Sequence, residues 1–245
     1  MKKILLFLIT IILSGCSATE DCFKKTGNFV QRTFETEMFE KVHVGGGISL
    51  IIKQGEEQNV IVSAGENLID NIKLSVIDGL LKIEDDTSCN WVRDYGQTTV
   101  YITTPDLTLI NSKTEQLIRS EGVLSFPFLH IISFDMGGEA GTGDFDMDLN
   151  IPYLVVESNN ASAFYLRGSC QNLVVSFYAG NGKFKGEHLI SQTISVFQRG
   201  NNDMELFPIE SIEGNIYGTG NIILKNTPPI IDVTEHYTGR LILDD

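Results

Sequence analysis

Between Phe39 and Leu109 the apolar side chains fall on alternate positions in short runs: Ile48, Leu50 and Ile52, then Val60 and Val62, then Ile72, Leu74 and Val76. A period of two in segments rich in β-branched residues predicts strands with one face turned to a core. Asp78-Gly79, between Val76-Ile77 and Leu80-Leu81, predicts a hairpin, because both residues accept the positive φ of a two-residue turn. The alternation stops between Asp85 and Gln97, a stretch that holds Cys89 and the single Trp, Trp91, and reads as a long surface loop.

From Gly141 onward the pattern becomes a repeat. Gly141-Thr142-Gly143-Asp144-Phe145, Asn160-Ala161-Ser162-Ala163-Phe164, Gly180-Asn181-Gly182-Lys183-Phe184, Gly200-Asn201-Asn202-Asp203-Met204 and Gly218-Thr219-Gly220-Asn221-Ile222 share one form, with Tyr237-Thr238-Gly239-Arg240-Leu241 as a degenerate sixth copy. The apolar anchors are spaced 19, 20, 20, 18 and 19 residues apart. Two residues after each anchor come Met147, Leu166, Gly186, Leu206, Leu224 and Leu243. Ten before the last five come Leu154, Val174, Ile194, Ile212 and Ile231. Each unit is therefore strand, Gly/Asn corner, strand, and is too small to bury its own apolar face, so copies must stack. The expected fold is all-β: a right-handed parallel β-helix-like solenoid with coils of about 19 residues and a strand-rich N-terminal part. Gly and Asn at the corners fit the left-handed backbone of tight turns, and six coils at about 4.8 Å would make a rod roughly 29 Å long. The leucine-rich-repeat signature is absent; a meander of antiparallel hairpins is the alternative.

The chain starts with Lys2 and Lys3, an apolar run from Ile4 to Leu13, and then Leu13-Ser14-Gly15-Cys16. The run has the form of a secretory signal and is too short to span a bilayer. The last four residues resemble the lipobox of bacterial lipoproteins, which implies cleavage before Cys16 and acylation of Cys16 as a lipid anchor in the bilayer. Residues 1–15 are then the signal peptide, 16–38 a tether and 39–245 the folded domain. Ser17 after the anchor implies sorting to the outer membrane, and Glu20-Asp21 resembles the acidic tags that carry some lipoproteins to the cell surface.

Phe39-Glu40-Lys41-Val42-His43-Val44-Gly45-Gly46-Gly47-Ile48, Gly65-Glu66-Asn67-Leu68, Val76-Ile77-Asp78-Gly79-Leu80-Leu81-Lys82-Ile83 and Gly214-Asn215-Ile216-Tyr217-Gly218-Thr219-Gly220-Asn221-Ile222 resemble the head-GIN domain of auto-transporter adhesins. The resemblance covers roughly Phe39 to Leu243. It implies repeated Gly-rich β-coils and adhesion or binding at the cell surface, and supplies no catalytic residues. The chain departs from the family's Ser-Gly-Ser-Gly turns at Asn160-Ala161-Ser162 and Tyr237-Thr238-Gly239, and Phe126-Pro127-Phe128 breaks the period.

Composition narrows the partners. With 18 basic and 32 acidic side chains the formal charge is -14, and removal of Lys2 and Lys3 takes it to -14 - 2 = -16. Nucleic acid is not an expected partner, since phosphate contacts need a basic face. Asp144, Asp146 and Asp148 alternate with Phe145, Met147 and Leu149, a stripe of oxygen ligands able to hold a hard cation such as Ca2+ or to stand as a solvated face. No Gly-x-Ser-x-Gly elbow, phosphate loop or zinc spacing is present, and Gly137-Gly138 reads as corner residues. Phe177 and Phe197 stand seven residues before consecutive anchors and by alternation point outward. With Tyr217 they form a candidate ligand-facing aromatic surface for a glycan or protein; the alternative is a ladder packed on itself. Tyr165, Tyr178 and Tyr237 add rings near the turns. After acylation of Cys16, Cys22, Cys89 and Cys170 remain, an odd set whose pairing is open. The expected function is a non-enzymatic surface adhesin; the alternative is a β-helix polysaccharide lyase or hydrolase, which needs clustered acids with a base or two facing carboxylates.

Overall fold

The computed structural model describes residues 20–87, 90, 94, 96–135 and 141–244; the leader with Cys16, Cys89, Trp91 and Gly137-Gly138 lie outside the described residues. Apart from the one-turn helix α1 (Glu20–Phe23) and a 3-10 turn at Ile69–Asn71, the regular structure is strand. The strands are β1 (Phe29–Phe34), β2 (Lys41–Val44), β3 (Ile48–Gln54), β4 (Asn59–Gly65), β5 (Ile72–Ile77), β6 (Leu80–Asp85), β7 (Thr98–Thr104), β8 (Leu109–Ser112) and β9 (Ile118–Leu124). They continue as β10 (Phe128–Ser133), β11 (Phe145–Ser158), β12 (Ala163–Phe177), β13 (Lys183–Gln198), β14 (Met204–Ile216), β15 (Ile222–Leu224), β16 (Ile230–Glu235) and β17 (Leu241–Leu243).

These strands stack in two columns of parallel pairs. One runs β7, β3, β9, the first halves of β11 to β14, β15 and β17. The other runs β6, β2, β8, β10, the second halves of β11 to β14, and β16. A coil takes one strand from each column, and the long strands cross from one to the other at a bend. There the alternation slips: Pro152 and Tyr153 in β11, and Gln171 and Asn172 in β12, are consecutive exposed residues. The fold is thus the expected β-solenoid, with about 6 turns and coils of about 21 rather than 19 residues. The excess comes from bulges and from the 25-residue step that pairs Leu129 with Leu154.

One core fills the space between the columns. The anchors Phe145, Phe164, Phe184, Met204 and Ile222 are all fully buried. Phe145 stacks on Phe164 at 4.8 Å, and Phe164 on Phe184 at 6.5 Å. Past the anchors the sequence repeat misplaces one coil. Between β12 and β13 the register slips after Tyr165, so Leu173, not Val174, faces Ile194, and Val175, not Ser176, faces Val196. A one-residue slip exchanges the two faces of a strand, so Leu173 is buried and Val174 is not.

The corner glycines also serve a different end from the expected one. Gly180 has a positive φ of 86°, but Gly143, Gly218, Gly220 and Gly239 do not. At each of these five a Cβ would approach a carbonyl of the preceding coil closer than 3.0 Å. Close stacking of backbone on backbone, more than left-handed conformation, excludes side chains there. The Asn residues contribute hydrogen bonds: Asn202 Nδ2 donates to Asn181 O at 2.6 Å and Asn201 Nδ2 to Asn181 Oδ1 at 3.0 Å.

The N-terminal end is a cap. Asp78 (φ 50°) and Gly79 (φ 72°) make the expected hairpin between β5 and β6. The β2–β3 coil lies inside, flanked by β6–β7 on one side and β8–β9 on the other. Antiparallel β4 covers the edge of β7, and β1 covers β4. Residues 29–34, placed by the sequence in a tether, therefore belong to the folded body. Among the described residues no strand covers the β16–β17 coil in this way: Ile231 and Leu243, in register with buried Ile212 and Leu224, are 39% and 47% exposed.

Candidate functional site

The carboxylate stripe is built as expected and is used by the protein itself. Strand β11 buries Phe145, Met147 and Leu149 and turns Asp146 and Asp148 outward. Parallel pairing places Arg167 of β12 directly beside Asp148. Its Nη1 lies 2.6 Å from Asp146 Oδ1, and its Nε donates to Asp148 Oδ1 at 2.8 Å. The hydrogen bonds to Asp146 and then Asp148 raise the guanidinium pKa above its ordinary value. Asp144 Oδ1 accepts the N–H of Ala163 at 2.9 Å. A guanidinium thus sits against two of the three carboxylates, and the stripe ties one coil to the next. In the same column Lys185 pairs with Glu205, and Lys225 with Asp244. Among the described residues no three His, Cys, Asp or Glu side chains converge on a metal position.

The three predicted aromatics separate. Phe177 is not outward: it is fully buried, 5.6 Å from Phe164 and 6.5 Å from Phe184. The β12–β13 slip pairs it with Gln198 and pairs Phe197 with Ser176, so the two phenylalanines are not equivalent. Phe197 and Tyr217 do face outward, in a column with Phe134, Tyr178 and His236. Successive centroids are 5.9, 5.5, 5.3 and 4.1 Å apart, and the Tyr217 and His236 planes are within 7° of parallel. Tyr217 and His236 stack face to face, whereas the other neighbours in the column are tilted or edge-on, and Tyr178 and Tyr217 remain exposed. Tyr178 donates to Glu157, which raises the phenol pKa, and Glu157 also pairs with His130 Nε2 at 2.7 Å. Tyr165 and Tyr237 are exposed outside this column.

A third feature was not singled out from the sequence. At the bend where the long strands change columns, a groove of about 770 Å3 runs across the coils. Its floor includes Ile151 and Cys170, which are 1% and 3% exposed. One wall carries Asn150 and Ser169, paired in register, and the other carries Asn172 and Thr193. Ser169 Oγ donates to Asn150 Oδ1 at 2.8 Å and Thr193 Oγ1 to Asn172 Oδ1 at 3.0 Å. Tyr153 continues the second wall in register and stacks on Phe128 at 5.8 Å. The sequence signal is partial: at the β12 slip the exposed residues are the amides Gln171 and Asn172, whereas at the β11 slip they are Pro152 and Tyr153.

Cys170 is a free thiol, and burial pushes its pKa up to about 11. Cys22 is disulfide-bonded, so Cys170 drops out of the pairing left open by the sequence. No helix among the described residues is long and apolar enough to cross a membrane.

Residues 38–228 match the family model described as "Putative auto-transporter adhesin, head GIN domain". Among solved structures, the fold is similar to that of a putative adhesin from Bacteroides fragilis, with a TM-score of 0.79 and 21% identity over 90% of this chain and 99% of that one. It is also similar to a putative lipid binding protein from Parabacteroides distasonis, with a TM-score of 0.65 and 15% identity over 90% and 99%. A putative adhesin from the same organism follows at 0.54 and 15% identity over 89% and 99%. No curated protein matches the chain.

Proposed function

The chain belongs to the head GIN domain family of auto-transporter adhesins, and from that premise we propose that it is a non-enzymatic adhesin, anchored in the outer membrane through acylated Cys16, that binds glycan or protein on one face of its solenoid. The observation that carries this reading is the use of the outward charged side chains. A polysaccharide lyase or hydrolase needs acids held apart for proton transfer or nucleophilic attack. Here Asp144, Asp146 and Asp148 are committed to Ala163 N–H and Arg167. What such bracing produces is a rigid, repeating surface, which suits recognition. The Leu13-Ser14-Gly15-Cys16 sequence supports the anchor and its place at the envelope.

The test is to incubate the purified mature protein with acidic and neutral polysaccharides and with immobilised matrix proteins, recording both retention and new reducing or unsaturated ends. Retention without new ends is expected, and turnover of any glycan overturns the reading. For the anchor, Cys16→Ala should move the protein from the membrane to the soluble fraction; a variant that still partitions fully with membranes refutes acylation.

A further inference from the structure

We propose that the groove at the strand bends is a binding site for a neutral polysaccharide lying along the solenoid axis. The inference rests on the adhesin reading and names its ligand class and its site. Three observations carry it.

The first is chemical. The walls present Asn150, Ser169, Gln171, Asn172, Gln192 and Thr193, side chains that both donate and accept hydrogen bonds. A sugar ring offers hydroxyls that do the same, so a wall of amides and hydroxyls matches it group for group. The buried floor keeps those groups on the rims.

The second is electrostatic. The chain carries 32 acidic and 18 basic side chains, yet among the described residues Glu210 is the one charged residue lining the groove. Among the described residues no Lys or Arg lines it to pair with a uronate or a sulfate, and the net charge of -14 repels an acidic polymer. A neutral ligand avoids both difficulties.

The third is geometric. The groove draws residues from β11, β12, β13 and β14 in successive coils, so equivalent groups recur at the strand spacing of about 4.8 Å. A repeating wall suits a repeating ligand. Tyr153 and Phe128, 42% and 37% exposed, supply an apolar platform beside one end for the C–H face of a sugar. Through this stretch β12 is paired with β11 on one side and with β13 on the other, so an added polypeptide strand has no edge to join there.

The experiment is affinity electrophoresis of the mature protein in gels containing mannan, xylan, dextran or mixed-linkage β-glucan, with chondroitin sulfate and polygalacturonate as acidic counterparts. At least one neutral polymer should retard the protein, and neither acidic polymer should. Gln171→Ala with Gln192→Ala should weaken that retention about tenfold or more, with an unchanged thermal midpoint to show that the fold survives. Phe197→Ala with Tyr217→Ala, on the ring column, should leave it within about twofold. Retardation by a neutral polymer that both double variants keep overturns the groove while leaving the adhesin reading intact. Retardation by acidic polymers alone overturns the ligand class. Capture by a matrix protein without any polysaccharide binding overturns the inference and keeps the adhesin reading; binding to neither class removes both.

Discussion

Truncating Phe177 to alanine removes a ring that no solvent reaches, between Phe164 and Phe184 of neighbouring coils. The backbone around it is tied on both sides, Phe177 pairing with Ser158 and with Gln198, so the cavity has little freedom to collapse. Core Phe→Ala changes cost about 3–5 kcal/mol, and a site that cannot relax belongs in the upper half of that range. Phe197→Ala removes a half-buried ring that lies tilted against Tyr178 at 5.5 Å and Tyr217 at 5.3 Å. At about 0.5–1.5 kcal/mol for a ring pair, lessened by exposure, its loss should cost about 1–2 kcal/mol. The expected gap is about 2–4 kcal/mol, a factor of roughly 30–900 in the folding constant. Urea unfolding followed by far-UV circular dichroism measures it, and an unchanged m-value in both variants keeps the comparison on stability alone. An independent pair checks the same register: Leu173→Asp should unfold the protein at a urea concentration where Val174→Asp stays folded. Equal losses for the two phenylalanines, or a larger one for Phe197, would mean that the β12–β13 slip is misplaced and that the unbroken sequence period describes the coil.

Arg167→Met should lower stability by less than about 1 kcal/mol at low salt, because all three partners are more than a third exposed, and the loss should vanish in molar NaCl. Millimolar Ca2+ should leave the wild-type thermal midpoint unmoved while raising that of the variant, whose carboxylates are released; a wild-type increase would refute the clamp. Cys170, with its thiol pushed to about 11 by burial, should resist a maleimide at pH 7 in the native protein and react once urea unfolds it. Burial works against the ionised form of Glu115, but hydrogen bonds from Gln116 and from its own and the Gly47 N–H hold the carboxyl below its ordinary 4.5. Its contribution is therefore present above that value and lost as pH falls through the depressed one, so Glu115→Gln should flatten the acid limb of a stability–pH curve. Amide exchange should be fastest, among the solenoid strands, in 230–235 and 241–243, where the inward side chains of the last coil are exposed.

What was legible in the chain follows from which contacts are local. The anchors returned at a near-constant spacing, and the first five lie fully buried where the spacing put them, Leu241 at the end being only partly buried. The Asp78-Gly79 turn needed only its own two residues. The order of the N-terminal coils was not legible, because β2 pairs with β6 and β8, strands whose joint position no local pattern records. Nor was the site of the bulge between Tyr165 and Arg167: Phe164 pairs with Phe184 and Arg167 with His188, so the extra residue follows both anchors, where the spacing between them does not record it.

The outward residues are the instructive case. Read along a strand, Asp144, Asp146 and Asp148 look like ligands waiting for a cation, since the nearest neighbours in sequence are apolar. In a parallel stack the neighbour that matters lies one period away. Adding 19 to Asp148 reaches Arg167, and adding 19 to Asp144 reaches Ala163, whose N–H it accepts. The same step takes Asn150 to Ser169, and a step of 20 takes Lys185 to Glu205. Once the period was known these pairs could have been written down from the sequence, and the stripe would have read as bracing. The groove is different in kind. Its amides and hydroxyls look, one at a time, like ordinary solvated positions, and the bend sets them on either side of a buried floor. A site of that sort is a property of the stack, and a change at a single coil should blunt it where a change at two should break it.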